Sequence, residues 1–281
     1  MRVDTEPPRK GTPMARSRAF RYRLSLRRVI VPVLLIAAWT VAGQYRVIDR
    51  LFLPSSADLW EAFRALAPLL PSAILTTISM VMVGFMIGVS FGAASGLLMA
   101  YSPLIRDLLG SIFDFLRPVP VFALIPMFIL WFGIGRAPQI TLIALGTSVV
   151  LGVTTLEAIR NVPSIYMRAA LTLGANRRQI YSTVIVPYIL PHLIGAVRVA
   201  AAASWGLDVA AEFMGSQQGL GYLIILQQTF LRTAGILILV IVYSVLAVIF
   251  DAVLRALEAR LTRWTERHAV RGAVGAIVGY G

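Results

Sequence analysis

Residues 71–100 read PSAILTTISMVMVGFMIGVSFGAASGLLMA and contain no charged side chain. As a helix this stretch would be about 45 Å long, which exceeds the roughly 30 Å hydrocarbon core of a bilayer. Glycine recurs at every fourth position, so one helix face would be a stripe of small residues: Gly84, Gly88, Gly92 and Gly96. Such a stripe allows a second helix to approach closely. The stretch therefore predicts a transmembrane helix packed tightly against a neighbour.

The whole chain has the composition of a membrane protein. Of its 281 residues 58% are hydrophobic and only 14% are charged, too few charges to cover a water-soluble enzyme. The net charge is +13, but nine of the 26 basic residues lie before Val29 and five lie after Leu254. Because these bases flank an apolar middle, they favour a tail near anionic lipid over a nucleic-acid partner. The lack of cysteine excludes disulfides and cysteine-based metal or redox sites.

Six charge-poor stretches are long enough to cross the bilayer: 29–45, 71–100, 107–133, 138–157, 179–211 and 234–254. The basic tail before the first stretch is too long for a removable signal peptide. With the N-terminus in the cytoplasm, the inner connections carry 19 basic residues and the outer connections carry five. The excess of basic residues on the inner side predicts that both termini are cytoplasmic.

The most informative connection is residues 161–178, NVPSIYMRAALTLGANRR. Asn161 or Ser164 can cap a helix of about ten residues, and Gly174 suits the left-handed position that ends it. Asn176 can then cap a second helix, which begins at Arg177 and continues uninterrupted into the fifth span. The pattern predicts a helix, a turn and a second helix at the cytoplasmic surface of the membrane.

Two alanines, Ala169 and Ala170, lie in the middle of the first of these helices. Their small side chains would let the groove of a partner protein approach the helix backbone. A helix that merely lies on the bilayer is the alternative. A DNA-reading unit is disfavoured because its second helix must be free to enter a groove, whereas this one continues into lipid.

The pattern of Ala169-Ala170, Gly174 and Leu190-Pro191 resembles the coupling loop of ABC importer permeases. Residues 117–135, RPVPVFALIPMFILWFGIG, and residues 210–224, AAEFMGSQQGLGYLI, are similar to the nitrate, sulfonate, taurine and bicarbonate branch. That branch also contains permeases for pyrimidine precursors, aromatic acids and other small solutes. The chain departs from the family pattern twice: Arg168 stands where a glutamate is usual, and Arg136 stands where an acidic residue is common.

The resemblance implies an all-α integral membrane protein of the type I importer permease architecture, with about six spans and a cytoplasmic coupling helix. It implies a second copy of the chain, two ABC ATPase subunits, an extracytoplasmic solute-binding protein and a place in the bacterial inner membrane. The implied cargo is a small solute, such as the anions nitrate or a sulfonate. The residues expected to couple to the ATPase are Arg168, Ala169, Ala170, Gly174, Leu190 and Pro191.

On this basis the chain divides into a basic tail (1–28), a first span with an outer amphipathic segment (29–67), a permease domain (68–257) and a C-terminal tail (258–281). The chain has no Gly-x-x-x-x-Gly-Lys-Ser/Thr loop to hold ATP phosphates, so hydrolysis is expected from a partner, and no cofactor is expected. The alternatives are an ATP-independent secondary transporter or channel, and a membrane scaffold.

The fifth span carries ionisable side chains, which are costly inside a membrane. With 100° per residue, Arg198, Trp205, Asp208 and Glu212 share one helix face, while Val199, Ala203 and Leu207 point elsewhere. These four residues line a translocation path or gate, or they pair with neighbouring helices; the sequence leaves both open. Arg117 is a similar case, beside two prolines expected to break a helix. His192 and His268 are too far apart in sequence to suggest a metal site or a catalytic triad.

Overall fold

The computed structural model describes residues 30–31, 33–34, 37–41, 43, 49 and 51–261. The expected basic tail, much of the first expected span and most of the expected C-terminal tail therefore lie outside the described residues. Residues 1–60 and 61–281 form two compact units. In the first unit Ser55 caps a helix as part of a capping box: its N–H donates to Asp58 Oδ2 at 2.9 Å, and the Asp58 N–H donates to Ser55 Oγ at 3.3 Å.

From residue 56 onward the described chain is helical with short connections, and no β-strand occurs between residues 51 and 261. The helices are α1 (Ser56–Leu66), α2 (Leu70–Tyr101), α3 (Pro103–Leu116), α4 (Ile125–Phe132), α5 (Arg136–Arg160), α6 (Ser164–Thr172), α7 (Arg177–Ile180), α8 (Val186–Gly215), α9 (Leu220–Thr229) and α10 (Thr233–Leu261). A 3₁₀ turn, Val121–Leu124, precedes α4, and a π-helical segment, Tyr181–Ile185, joins α7 to α8.

Within the described residues four helical stretches are long and apolar enough to cross a membrane: α2, α5, α10 to Arg260, and the continuous run Arg177–Gly215. A fifth arises if α3 and the segment Val121–Phe132 count as one span, although they meet at an angle of 87°. The expected break beside Arg117 is confirmed, because Pro118 and Pro120 lie in the four residues between the two helices. The expected total of six spans stays a prediction.

The glycine stripe of α2 packs against α5, as its spacing predicts. A Cβ atom added to Gly84 would lie 2.7 Å from Ile143 Cβ, and one added to Gly88 would lie 2.6 Å from the carbonyl oxygen of Ala144. Real Cβ atoms do not approach other atoms so closely, so only glycine permits this separation of the two backbones. Farther along the interface Gly92 faces α5 in the same way. Because α5 packs on this stripe and also on α3, α4 and α8, it is the most enclosed of the candidate spans in the described residues.

Helix α8 connects the interior of the second unit because it contributes to each of its four apolar clusters. Trp205 packs with residues of α2, α9 and α10, Leu207 with residues of α4 and α5, and Ala200 with residues of α2 and α5. At the other end of the helix Ile189 packs with residues of α2, α3 and α5. Helix α8 thus holds together the elements that carry both groups of candidate site residues.

The structure corrects two expectations about the connection between α5 and α8. Helix α6 has Pro163 as its N-cap residue with no side-chain cap, so the predictions of Asn161 or Ser164 as the cap were wrong. The second helix is not uninterrupted, because the π-helical segment Tyr181–Ile185 separates α7 from α8. Pro187 explains this widened turn: it has no N–H to donate, and its ring displaces the carbonyl group one turn earlier.

Candidate functional site

Helix α6 ends as the sequence predicts, at a glycine in the left-handed conformation. Gly174 has φ = 79°, its N–H donates to the carbonyl oxygen of Leu171 at 2.9 Å, and the N–H of Ala175 donates to that of Ala170 at 3.0 Å. These two bonds form a Schellman motif, which satisfies carbonyl groups that a helix end otherwise leaves unpaired. The prediction that Asn176 caps the next helix is also confirmed, because its side chain forms a capping box with Gln179.

A groove of about 600 Å³ lies between α6 and the beginning of α8. Ala169 and Ala170 line it on the α6 side, while Val184 and Pro187 line it on the other side. Small side chains therefore leave the α6 backbone open to a partner, as expected from the alanine pair. Residues 161–188 carry this groove, and we call them the docking segment after the docking role that the sequence predicts for them.

The expected coupling residues occupy different positions relative to this groove. Arg168 is exposed on α6, and Gly174 ends that helix. Leu190 and Pro191 lie within α8, outside the groove lining, and Pro191 is buried. Sequence reasoning did not select Val184 and Pro187. It assigned the proline of the coupling-loop pattern to Pro191, although Pro187 lies only four residues earlier.

Polar and aromatic contacts hold the docking segment to neighbouring helices. The Arg177 guanidinium donates to the carbonyl oxygen of Tyr101 at 2.9 Å, and the Tyr181 hydroxyl donates to that of Leu97 at 3.1 Å, so α7 is attached to the end of α2. The Tyr188 hydroxyl donates to the carbonyl oxygen of Asn161 at 3.3 Å, which attaches α8 to the beginning of the segment. The groove is therefore fixed at both ends to membrane-spanning helices.

A second polar group, which we call the buried polar cluster, consists of Thr77, Trp205, Asp208, Glu212 and Tyr243. Glu212 is 1% exposed; its Oε1 accepts the Thr77 hydroxyl at 2.7 Å and its Oε2 accepts the Gly221 N–H at 2.5 Å. The Thr77 oxygen in turn accepts the Leu220 N–H at 2.9 Å. The first N–H groups of a helix have no partner inside it, so Glu212 and Thr77 together cap α9 from two other helices.

Gly219 is required where α9 meets Glu212. Its φ is 109°, and a Cβ atom there would coincide with the Glu212 carboxylate. Glycine alone combines this backbone conformation with such a close approach. Sequence reasoning missed α9 because ten residues are too few to span a membrane, although the Gly-Leu-Gly sequence at 219–221 marks its beginning.

Asp208, the aspartate of the cluster, lies on α8 and is fully buried where α8 packs against α10. The Tyr243 hydroxyl donates to its Oδ2 at 2.5 Å, and the Tyr243 ring packs edge-on against Trp205 with ring centres 5.3 Å apart. Asp208 Oδ1 and Trp205 Nε1 are buried without a hydrogen-bond partner in the described residues. Trp205, Asp208 and Glu212 thus lie together in the protein interior, as their common helix face predicts.

The remaining candidate residues lie apart from the cluster. Arg198 donates to Asp251 Oδ1 at 3.1 Å and to Glu258 Oε2 at 3.0 Å, which joins α8 to α10. Arg117 contacts Glu157 at 3.0 Å, across from α3 to α5. Because these residues have partners within the chain, the geometry favours the pairing alternative; a role in the path stays a prediction.

No group of three or more side chains suited to hold a metal ion occurs in the described part of the chain. His192 stacks on Tyr188 with ring centres 5.7 Å apart, and its Nδ1 lies 3.3 Å from the carbonyl oxygen of the same residue. This arrangement is helix packing, and His268 lies outside the described residues.

Comparisons with known proteins agree with this geometry. The chain is 32% identical to the taurine transport system permease protein TauC of Escherichia coli over 261 residues, which cover 88% of this chain and 94% of TauC. It is 30% identical to the putative aliphatic sulfonates transport permease protein SsuC of Bacillus subtilis, covering 92% of this chain and 94% of that protein. An inward-facing structure of the MetNI methionine ABC transporter contains a chain with the same fold, with a TM-score of 0.57, 20% identity, and coverage of 71% of this chain and 97% of that one.

Residues 84–263 match the family model described as the binding-protein-dependent transport system inner membrane component. This match extends from the glycine stripe of α2 through the docking segment and the buried polar cluster to the end of α10. The expected all-α architecture of a type I importer permease is thereby confirmed. The chain belongs to the family of binding-protein-dependent transport system inner membrane components, and it is a multi-pass permease subunit of an ABC importer.

Proposed function

We propose that this permease subunit forms the translocation path for a small organic anion of the sulfonate class. The permeases TauC and SsuC, which resemble this chain over most of its length, bear names that refer to taurine and aliphatic sulfonates. The observation that carries the importer function is the docking segment, whose groove lies beside α6 and is lined there by the small side chains of Ala169 and Ala170.

The proposed assembly contains two copies of this chain, two ABC ATPase subunits and an extracytoplasmic solute-binding protein. The docking segment would contact the ATPase through Arg168, Ala169, Ala170 and Gly174, with Leu190 and Pro191 beyond it. The excess of basic residues in the connections on one side supports an orientation with both termini in the cytoplasm. Single cysteines at position 174 and at position 134 should therefore react with impermeant thiol reagents from opposite sides of the membrane.

Uptake of radiolabelled solute into proteoliposomes tests the proposed function. The permease is reconstituted with the ATPase and binding protein that co-purify with it, and taurine, an alkanesulfonate and nitrate are compared. We expect ATP-dependent uptake of a sulfonate and none when the ATPase is omitted. Uptake that persists without ATP and follows an ion gradient would instead establish the secondary-transporter alternative. ATP-dependent uptake of nitrate alone would reject the sulfonate class and leave the importer function intact.

The translocation path is proposed to run along α8, with Arg117, Arg198, Trp205, Asp208 and Glu212 as path or gate residues. The chain has no cysteine of its own, so single cysteines report without background. If these residues face an aqueous route, cysteines at 198, 205 and 212 should react with small water-soluble thiol reagents to an extent that depends on nucleotide. Protection of all three in every nucleotide state would leave them as pairing residues only.

A further inference from the structure

The docking segment carries basic charge without compensation. From Ala158 to Leu207 the sequence contains five arginines and no acidic residue. Arg168 and Arg178 are exposed, and neither side chain has a hydrogen-bond or ion-pair partner within the described part of the chain. The Arg177 guanidinium donates to the carbonyl oxygen of Tyr101 and lies over the Tyr101 ring. Three exposed arginines therefore lie within residues 168–178.

Two acidic residues, one on α3 and one near the end of α5, are already paired with arginines outside the groove. Asp114 Oδ2 lies 3.6 Å from Arg160 Nη2, and Glu157 Oε1 lies 3.0 Å from Arg117 Nη1. These two ion pairs join α3 to the end of α5, and within each pair the two charges compensate one another. They supply no carboxylate to Arg168 or Arg178.

Apolar side chains stand exposed among these bases. Leu173 borders the groove and is 87% exposed, and Ile165 and Leu171 are 66% and 61% exposed. Exposed leucines beside an apolar groove, with a charged periphery, have the composition of a protein interface with an apolar core and a polar rim. The charged side chains of this periphery are Arg168, Arg177 and Arg178, all basic.

From these observations we infer that the ATPase subunit docks on this segment through an acidic surface, with an apolar ridge in the groove and carboxylates facing Arg168 and Arg178. This inference rests on the proposed docking role and adds the chemistry of the partner. Complementary charge speeds encounter and selects among ATPases, since an ATPase with bases at these positions would be repelled. The chain would thereby distinguish its own ATPase from others of similar shape.

The test measures binding of the co-purifying soluble ATPase subunit to the full-length permease in nanodiscs of zwitterionic lipid, at low and at high KCl. Arg168→Glu and Arg178→Glu should each weaken binding about tenfold at low salt, and high salt should weaken wild-type binding and reduce this difference. Arg136→Glu is the matched control, because Arg136 is also exposed but begins α5 at the opposite end of that helix. Its binding should equal that of the wild type.

A compensating change makes the test specific. Replacing an acidic residue on the ATPase surface by lysine should restore binding of the Arg168→Glu permease and weaken binding of the wild type. Salt-independent binding with Arg168→Glu equal to Arg136→Glu would overturn the inference while leaving the docking role intact. If the variants lose binding only in nanodiscs that contain anionic lipid, the bases serve lipid headgroups and the inference is again overturned. If no ATPase binds the wild-type permease at all, the proposed function itself fails.

Discussion

The buried polar cluster and the docking segment both use polar side chains, but they use them in opposite ways. In the cluster Glu212 is 1% exposed and accepts hydrogen bonds from Thr77 on α2 and from Gly221 on α9. In the docking segment Arg168 and Leu173 are exposed and the groove beside them is open. A polar group buried with partners stabilises the fold, whereas an exposed one with none is available to another chain. Substitutions in the two regions should therefore separate stability from function.

Glu212→Ala should have the largest effect on stability. The change leaves the Thr77 hydroxyl and the Gly221 N–H without their acceptor in the interior, which costs about 3 kcal/mol of unfolding free energy. The apparent free energy of unfolding in detergent micelles measures it. Glu212→Gln keeps an acceptor oxygen and should lose less, and Met214→Ala, on the exposed side of the same helix, is the control. Equal stability of Glu212→Ala and Met214→Ala would mean that the cluster does not hold α9.

Gly219→Ala and Gly174→Ala compare one substitution in both regions. Alanine at Gly174, with φ of 79°, incurs strain of about 1–2 kcal/mol. At Gly219, φ of 109° with ψ of 172° lies in a region that essentially only glycine adopts, so the strain there is at least as large. At Gly219 the new Cβ atom also collides with the Glu212 carboxylate, while at Gly174 no atom lies within 4 Å of it. We expect Gly219→Ala to destabilise the protein by about twice as much as Gly174→Ala, by the same unfolding measurement. Equal losses would show that Glu212 moves aside without cost.

Arg198→Ala should destabilise the protein by about 1 kcal/mol, because Arg198 is partly exposed and joins α8 to both Asp251 and Glu258. Arg255→Ala is the matched control, since Arg255 contacts Asp251 only within its own helix and should cost about 0.3 kcal/mol. Uptake separates the two roles of Arg198. If Arg198→Ala abolishes transport at unchanged abundance while Asp251→Asn does not, Arg198 belongs to the path as well as to the pair.

Ala170→Trp should have the smallest effect on stability and yet abolish transport. The indole would fill the groove beside Val184 and hold the ATPase away from the α6 backbone, with less than about 0.5 kcal/mol of destabilisation because the site is open. Uptake and co-purification of the ATPase measure the loss. Phe115→Trp, at an exposed position on α3, is the control. Full uptake by Ala170→Trp would remove the groove from the docking role.

The two regions also differ in how many of their features the sequence predicted. In the docking segment the alanine pair, the end of α6 at Gly174 and the cap at Asn176 are local features, and a few consecutive residues decide them. The N-cap of α6 was predicted wrongly because Asn161 and Ser164 suit that position by residue type, whereas the backbone becomes helical only after Pro163, whose ψ of 127° is extended. The π-helical segment before Pro187 likewise depends on how the proline ring is accommodated by the turn before it.

The buried polar cluster shows what periodicity leaves open. Helical spacing placed Trp205, Asp208 and Glu212 on one face but did not say what faces them. Their partners, Thr77 and Tyr243, are more than 30 positions away in the sequence. No local pattern connects such distant residues, so the partners of Asp208 and Glu212 became visible only with the positions of α2, α9 and α10.

The sequence by itself determined the membrane-spanning all-α class, the family, the glycine stripe and the location of the docking segment. The class and the stripe depend on composition and periodicity, whereas the family and the docking segment came from the resemblance of local motifs; the covalent chain carries both kinds of signal directly. Only the tertiary structure decided that Glu212 and Thr77 cap α9, that Arg198 joins α8 to α10, and that Val184 and Pro187 line the groove. These contacts join residues far apart in the chain, and a distant residue becomes a neighbour only when packed helices bring it there.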